Sequence, residues 1–393
     1  MVPNGWGENS LADIVKEKIS YGIVQAGPHI EGGIPYIKSS DVKGIIIPKT
    51  LQCTSEEIHY KYRRSAVHPG DIVFSLRGNI GESAIVPETL PEANLTQGTA
   101  RISVGHNHCN LFYYYQLQSD SLLNRINALS KGSTFKEISL EELRKVKVLS
   151  PPYTEQNKIA QILSTWDQAI SATEKLIESS QKQKKALMQQ LLTGKKRLLD
   201  ENGVRFVGEW EKVHIKDCAE CLDNKRVPLN SEQRSLMSGS IPYWGANGIV
   251  DYISDFIFDE TIVLLAEDGG YFDEYQTRPI SNISYGKCWV NNHAHILRAK
   301  KNSLNEWIYY CLVHKNILAF VNGGTRAKLN KSDMLMIPLL LPSLQEQKKI
   351  VSLLSLADQE IENLQKKLDC LKQEKKSLMQ QLLTGKKRVK VVA

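Results

Sequence analysis

Eleven residues, Leu187-Met188-Gln189-Gln190-Leu191-Leu192-Thr193-Gly194-Lys195-Lys196-Arg197, recur without change from Leu378 to Arg388. The copies stand 191 positions apart, and the register holds without a gap over residues 151–197. Pro151 meets Pro342, Glu155-Gln156 meets Glu346-Gln347, Lys158-Ile159 meets Lys349-Ile350, and Asp167-Gln168 meets Asp358-Gln359. A chain with such a repeat is one unit used twice, and any fold assigned to it must respect that. Upstream the match is looser. Gly132-Ser133-Thr134 echoes Gly323-Gly324-Thr325 at the same offset, while Ile34-Pro35-Tyr36 echoes Ile241-Pro242-Tyr243 and Trp6 echoes Trp210 with small changes of offset. The order is therefore variable unit, repeated segment, variable unit, repeated segment. Duplication alone says nothing about function.

The repeated segment reads as a long helix. No Gly or Pro interrupts Glu155 to Thr193, prolines stand just before each copy, and Gly194 occupies the place of a C-terminal cap. Apolar residues recur in steps of three and four at Leu163, Trp166, Ile170, Ile177, Leu187 and Leu191 in the first copy. The second copy has Leu354, Ile361, Leu364, Leu368, Leu371, Leu378 and Leu382. That spacing predicts a coiled-coil seam, interrupted by Thr173, Ser180 and Lys184 in the first copy and by Lys375 in the second. Neither helix can bury its stripe alone, so each is expected to pack on the other. The second follows a whole globular unit, which favours an antiparallel pair related by a pseudo-two-fold axis. The competing arrangement has each helix folded onto its own neighbour.

The remaining segments predict a mixed α/β fold. Strands are expected at Ile45–Ile47, Asp71–Phe74, Ala84–Val86, Thr261–Leu265 and Ala294–Leu297, and helices around Leu111–Arg125 and Glu306–Phe320. The expected domains are a first globular unit at 1–150, a spacer helix at 151–197, a linker at 198–209, a second unit at 210–341, a second helix at 342–388 and a tail at 389–393.

With 41% apolar and 24% charged residues, the chain has the makings of a core. A net charge of +7 permits contact with a polyanion without proving it. Seven scattered cysteines suit a reducing compartment better than a disulfide scaffold. Residues 1–10 lack a signal-peptide pattern, and no apolar run is long enough for a bilayer. The expectation is a cytoplasmic protein without membrane contact.

Catalytic signatures fail on inspection. Ser150-Pro151-Pro152-Tyr153 matches the loop with which amino-methyltransferases hold a flipped base, but the second copy reads Leu341-Pro342-Ser343-Leu344, and no glycine-rich cofactor turn lies upstream. Thr193-Gly194-Lys195-Lys196 ends a helix, where a phosphate loop would begin one. His214, Cys218 and Cys221 are too few for a zinc site by spacing alone. The expectation is no catalytic residue, no metal and no cofactor in this chain.

Polar residues set among glycines and aromatics are what base reading needs: Arg and Lys suit guanine or phosphate, Asn and Gln suit adenine. The first unit offers Tyr36, Lys38, Ser39, Arg77, Asn79, Thr96, Gln97 and Lys136. The second offers Tyr243, Trp244, Asn247, Asp268, Asn292, His293, Arg326 and Lys328. Ordinary turns favour the same letters, and what sets these residues apart is that the two sets match in place. The basic ends Lys195-Lys196-Arg197 and Lys386-Lys387-Arg388 face DNA, a partner protein or solvent at a helix end.

These features together resemble the specificity subunit of Type I restriction–modification systems. The motif Pro-x-x-x-Glu-Gln-x-Lys-Ile, present at Pro151–Ile159 and again at Pro342–Ile350, carries the resemblance over nearly the whole chain. It implies two target-recognition domains that read the halves of a split, asymmetric site in double-stranded DNA, with the helices as spacer. It further implies two methyltransferase (modification) subunits and two restriction/translocase subunits as partners. S-adenosylmethionine and ATP with magnesium would belong to those partners. The alternative is an assembly scaffold that reads no DNA.

Overall fold

The computed structural model describes residues 2–132, 136–323 and 327–390. The chain divides into two compact units, residues 1–174 with 366–393 and residues 175–365. The divisions fall inside the long helices, so each unit is a globular head with part of both helices.

The first unit runs β1 (Gly7–Ser10), β2 (Ile34–Ile37), β3 (Gly44–Ile45), β4 (Gln52–Thr54), α1 (Glu56–Tyr62), β5 (Ile72–Ser75), β6 (Ser83–Ile85), β7 (Asn94–Leu95) and β8 (Thr99–Ile102). There follow α2 (Asn110–Leu117), α3 (Asp120–Leu129), α4 (Leu140–Lys145), β9 (Lys147–Ser150) and the start of α5 (Tyr153–Leu191). One sheet has the order β3-β6-β5-β8, a second β4-β2-β7, and β1 pairs with β9. Every residue of β5 is buried, and its side chains alternate between two cores. Ile72 and Phe74 join the core that contains α2, α3 and the start of α5, while Val73 faces Ala84, Leu90 and Leu95.

The second unit repeats the plan. It contains the end of α5, then β10 (Glu211–His214), α6 (Ile215–Cys218), β11 (Ala219–Cys221), α7 (Ser231–Leu236), β12 (Ser238–Gly245) and β13 (Gly248–Ile253). Next come β14 (Phe258–Asp259), β15 (Ile262–Ala266), β16 (Ser281–Ser284), β17 (Lys287–Val290), β18 (Ala294–Ala299) and α8 (Asn305–Leu312). It closes with β19 (Val321–Asn322), β20 (Lys328–Leu329), α9 (Lys331–Leu335), β21 (Pro338–Leu341) and the start of α10 (Leu344–Leu382). Its sheets are β11-β18-β15-β16 and β13-β12-β17-β14, with β10 paired to β21 and β19 to β20. The fully buried β15 again divides its residues, Val263 and Leu265 to one core, Ile262 and Leu264 to the other. A parallel pairing recurs as well, Tyr36 opposite Asn94 in one unit and Tyr243 opposite Trp289 in the other.

Most expected strands and both long helices are present, and three expectations are corrected. The helix expected over Leu111–Arg125 is two helices, because the chain turns at Ser119, whose Oγ donates to the carbonyl of Gln116 at 2.7 Å. The helix expected to reach Phe320 ends at Leu312, and a short 3-10 turn covers Leu318–Phe320. Of the strand expected at Ile45–Ile47, only Gly44–Ile45 pairs. No helix among the described residues is long and apolar enough to cross a membrane.

Both long helices have 39 residues and end alike. Gly194 and Gly385 take positive φ, +70° and +68°, which a side chain would disfavour. In each case the chain folds back, Lys196 N–H to Gln190 O and Lys387 N–H to Gln381 O, both at 3.1 Å. All the expected seam residues of both helices are buried or half-buried. Leu163, Leu378 and Leu382 share the first unit's core, and Leu187, Leu191 and Leu354 share the second's.

Within each unit the two helices run antiparallel. In the first, Lys375 meets Asp167 at 2.6 Å and Lys372 meets Glu174 at 2.8 Å, so one number falls as the other rises. In the second, Lys184 meets Asp358 and Arg197 meets Glu346.

The repeated polar residues form the joint between head and helices. Glu155 is 2% exposed and accepts two bonds from the Arg388 guanidinium, both at 2.7 Å, and one from Trp6 Nε1 at 3.1 Å. Glu346, 1% exposed, accepts two from Arg197 at 2.6 and 2.8 Å and one from Trp210 Nε1 at 3.0 Å. Asp167 holds the hydroxyl of Tyr115 at 2.6 Å, and Asp358 holds that of Tyr310 at 2.7 Å. Gln156 donates to Pro151 O and accepts from Cys109 N–H, both at 2.8 Å; Gln347 does the same with Pro342 O and Leu304 N–H at 2.9 and 3.1 Å. Charge-assisted bidentate bonds of this kind are strong and directional. Burial acts against the charge of Glu155, but the bonds from Arg388 and Trp6 outweigh it and hold the carboxyl below its usual range. Tyr115 and Tyr310 are pushed well above the ordinary phenol range by burial and by the aspartates they bond.

Candidate nucleic-acid interface

In the first unit three loops meet beyond the ends of β2, β5 and β7. Thr96 N–H donates to Ile37 O at 3.1 Å, and Leu76 N–H donates to Gly98 O at 2.9 Å. Ser39 Oγ donates to the same Gly98 carbonyl at 2.8 Å. A methyl group on Gly98 would stand 2.7 Å from Ser39 Oγ and 3.3 Å from Arg77 Nε, so the glycine lets the three segments close up. Arg77 forms an isolated bridge with Glu137, the neighbour of Lys136. Ser39, Arg77, Asn79, Thr96, Gln97 and Lys136 thus belong to one neighbourhood, with Arg77, Asn79 and Lys136 exposed and Thr96 and Gln97 half-buried. Lys38 lies at its edge and donates to Gln52 Oε1 at 3.1 Å.

In the second unit the matching loops meet in the same way. Asn291 N–H donates to Trp244 O at 3.0 Å, Glu267 N–H to His293 O at 2.9 Å, and Leu329 N–H to Glu267 O at 2.7 Å. The tip of the β12–β13 hairpin is tied down by Asn247 Nδ2, which donates to Gly269 O at 2.8 Å. Gly245 packs closely here, and a methyl group would fall 2.7 Å from Val250 Cγ2, so the Val250 side chain would have to shift. Tyr243, Asn247, Asp268, Asn292 and His293 line one cleft of ≈ 780 Å³. His293 Nδ1 lies 2.5 Å from Asp268 Oδ1, which leaves Nε2 free to accept from, or donate to, a base edge. Asn292 is exposed. Lys328 is exposed and within 3.2 Å of Glu267, a carboxylate that also receives Arg226. Arg326 lies outside the described residues.

Two expected contact residues are largely enclosed. Tyr36 is 5% exposed and its hydroxyl donates to Gln52 Oε1 at 2.7 Å; Tyr243 is 1% exposed and its hydroxyl accepts from Leu229 N–H at 2.9 Å. Both are core residues that shape the loops, since each occupies an inward position on its strand. Burial, the largest influence on Tyr36, raises its pKa. Trp244 is half-buried, and its Nε1 is engaged by Ser284 Oγ at 3.1 Å. The basic helix ends are also revised. Arg197 and Arg388 are committed to Glu346 and Glu155, Arg197 half-buried and Arg388 still exposed, and the adjoining lysines are exposed.

The sequence reading missed Gln52 in the first unit and Asn230, Gln233 and Arg234 in the second. The last three line the cleft from α7 and its N-cap. Arg234 bonds Asp251 at 3.0 Å and lies 5.2 Å from the Tyr243 ring, so it braces the cleft wall. The Asn230–Gln233 capping box was the available signal.

His214, Cys218 and Cys221 do not gather. The Cys218 thiol donates to the carbonyls of its own helical turn. Cys221 instead groups with Asp223 and His295 within 4.8 Å. Both imidazole nitrogens of His295 are engaged, Nδ1 with Asp223 at 2.6 Å and Nε2 with Leu329 O at 2.9 Å. A metal would have to displace one of these bonds, so the trio reads as a buried brace beneath the cleft. Burial opposes the Asp223 charge, but the bond from His295 and the nearby Arg226 keep its carboxyl low. Burial pushes the Cys221 thiol up to about 11.

Known proteins agree with this layout. The chain is 25% identical over 99% of its length to the MjaVIII Type I restriction enzyme specificity subunit of Methanocaldococcus jannaschii, covering 94% of that protein. It is 36% identical to a putative Type I restriction enzyme specificity subunit of Haemophilus influenzae, over 37% of this chain and 36% of that protein. Its fold superposes on the crystal structure of a Type I restriction–modification S subunit from M. genitalium with a TM-score of 0.62 at 17% identity, covering 100% of this chain and 99% of the other. Residues 3–179 and 208–373 both match the Type I restriction modification DNA specificity domain, and this chain belongs to that family.

Proposed function

We propose that the chain is the DNA sequence-specificity subunit of a Type I restriction–modification complex, without catalytic residues of its own. Each unit reads one half of a bipartite, asymmetric site in double-stranded DNA. The observation that supports this most strongly is the double construction. The joint is built twice from the same residue types, while the loops above it carry different side chains: Arg77, Asn79 and Gln97 in one unit, Asp268, Asn292 and His293 in the other. Like joints under unlike loops suit two readers of different sequences. A scaffold that only gathers proteins gives no reason for the loops to differ where the joint does not.

In this reading Lys and Arg hold phosphates, and the loop side chains test base edges in a groove. Two methyltransferase subunits bring S-adenosylmethionine, and two restriction subunits bring ATP and magnesium. The lengths of α5 and α10 set the number of unread base pairs. Adding a helical turn to both should change that number and leave both half-sites intact. Genome-wide mapping of methylated positions, with and without the gene, tests the function. The reading requires one split motif to disappear with the gene, and an unchanged map would refute it.

A further inference from the structure

We propose that the segment from His59 to Arg64 is a phosphate clamp, by which the first unit grips the DNA backbone beside the half-site it reads. The proposal rests on the DNA-reading role above and adds a surface to it.

The segment His59-Tyr60-Lys61-Tyr62-Arg63-Arg64 interleaves aromatic and basic residues. Tyr60, Lys61, Arg63 and Arg64 are all exposed, Tyr60 by 66%. The Arg63 guanidinium lies 4.3 Å from the Tyr60 ring, which orders it without neutralising it. Among the described residues, none of Lys61, Arg63 and Arg64 is paired with a carboxylate. Nearby, Glu92 is taken by His59 and His68, and Glu56 and Glu57 lie in the first turn of α1.

Three unpaired cations on a floppy loop would mean little, but this turn is anchored from below. Arg101, 4% exposed, donates to Ala66 O at 2.5 Å and to Arg64 O at 3.0 Å, and pairs with Glu17. A buried guanidinium spent on main-chain carbonyls fixes the backbone, so Arg63 and Arg64 leave it in set directions. The anchored turn is also continuous with the reader. Val67 and Ala93 exchange both main-chain hydrogen bonds, at 2.8 and 3.1 Å, and His59 Nδ1 lies 3.2 Å from Asn94 Oδ1. Thr96 and Gln97 follow directly.

The second unit shows that the fold does not need this segment. There Phe258 pairs with Cys288 at the position where Val67 pairs with Ala93. Between the hairpin strand and that pairing the second unit has only Ser254-Asp255-Phe256-Ile257, with one carboxylate and no cation; the first unit has residues 55–66. The added length in the first unit therefore carries net positive charge and aromatic faces to the margin of the reading loops. Duplex DNA, with its regular phosphates, fits that chemistry.

The test uses the full chain with its methyltransferase subunits on a duplex carrying the mapped site. Affinity is measured across a salt series for the wild type, for the triple variant Lys61→Gln, Arg63→Gln, Arg64→Gln, and for Arg63→Lys, Arg64→Lys. At about 0.9 per phosphate contact, the triple variant should lower the log–log salt slope by about 2 to 3 with the motif unchanged, and the lysine variant should keep the wild-type slope. An unchanged slope in a folded, assembled triple variant overturns the proposal. A slope that stays while methyltransferase binding falls overturns it too, and assigns the patch to a protein partner. Failure of the wild type to prefer its site would instead refute the DNA-reading role itself.

Discussion

In the first unit the loops closed around Gly98 leave Arg77 and Asn79 exposed and Gln97 half-buried. In the second unit the polar side chains in and around the cleft are largely paired among themselves: Arg226 and Lys328 with Glu267, His293 with Asp268, Arg234 with Asp251. Below both lies the same joint of Glu, Gln, Asp, Trp and Tyr. A fold can thus vary its reading surface freely while the support stays fixed, because the support spends buried, bidentate bonds and the surface spends exposed side chains.

Breaking the joint should have the largest effect. Glu346→Ala removes the partner of Arg197 and Trp210 and should cost about 3 kcal/mol, as expected for one member of a buried pair. Thermal unfolding of the full chain measures it, and the motif read by any surviving complex should not change. Next is the closure of the first unit's loops. Gly98→Val forces Ser39 and Arg77 apart and should weaken only the first half-site, by about 1–3 kcal/mol. Competition between duplexes that differ in one half-site checks this. A smaller effect concerns acid. The Glu155 carboxyl lies below its ordinary 4.5, so its contribution to stability is complete above that pH and is lost as the pH falls through the lowered value. Glu155→Gln should flatten that part of the pH–stability curve, as read by urea unfolding at several pH values. The smallest effect is expected of Tyr153→Phe. Tyr153 is 49% exposed at the start of α5, and it does not hold a base if the chain carries no methyltransferase. Methylation by the assembled complex should be unaltered.

Much of this was legible in the sequence. The letter-for-letter repeat announced both helices and the doubled plan. Among the described residues, several members of each loop set lie close together in their unit. What the sequence concealed was long-range. Glu155 and Glu346 stood out as repeated, but their tryptophans recur at a different offset, so the clamp was invisible until Trp6 and Trp210 came into place. Tyr36 and Tyr243 looked like contact residues because they stand among the polar residues, glycines and aromatics that base reading needs, and sequence alone did not say that their side chains turn inward. The α2–α3 break came from Ser119 without a glycine or proline to mark it. The basic turn at 59–64 was readable as a pattern, but its anchoring by Arg101 needed the fold.

The most direct test compares two single variants of the full chain, Gln97→Ala and Asn292→Ala, each assembled with its methyltransferase, by mapping methylated positions across a genome. The account predicts that each variant tolerates new bases in one half of the motif only, and that the two affect opposite halves. Relaxation of both halves by either variant, or of the same half by both, would contradict it.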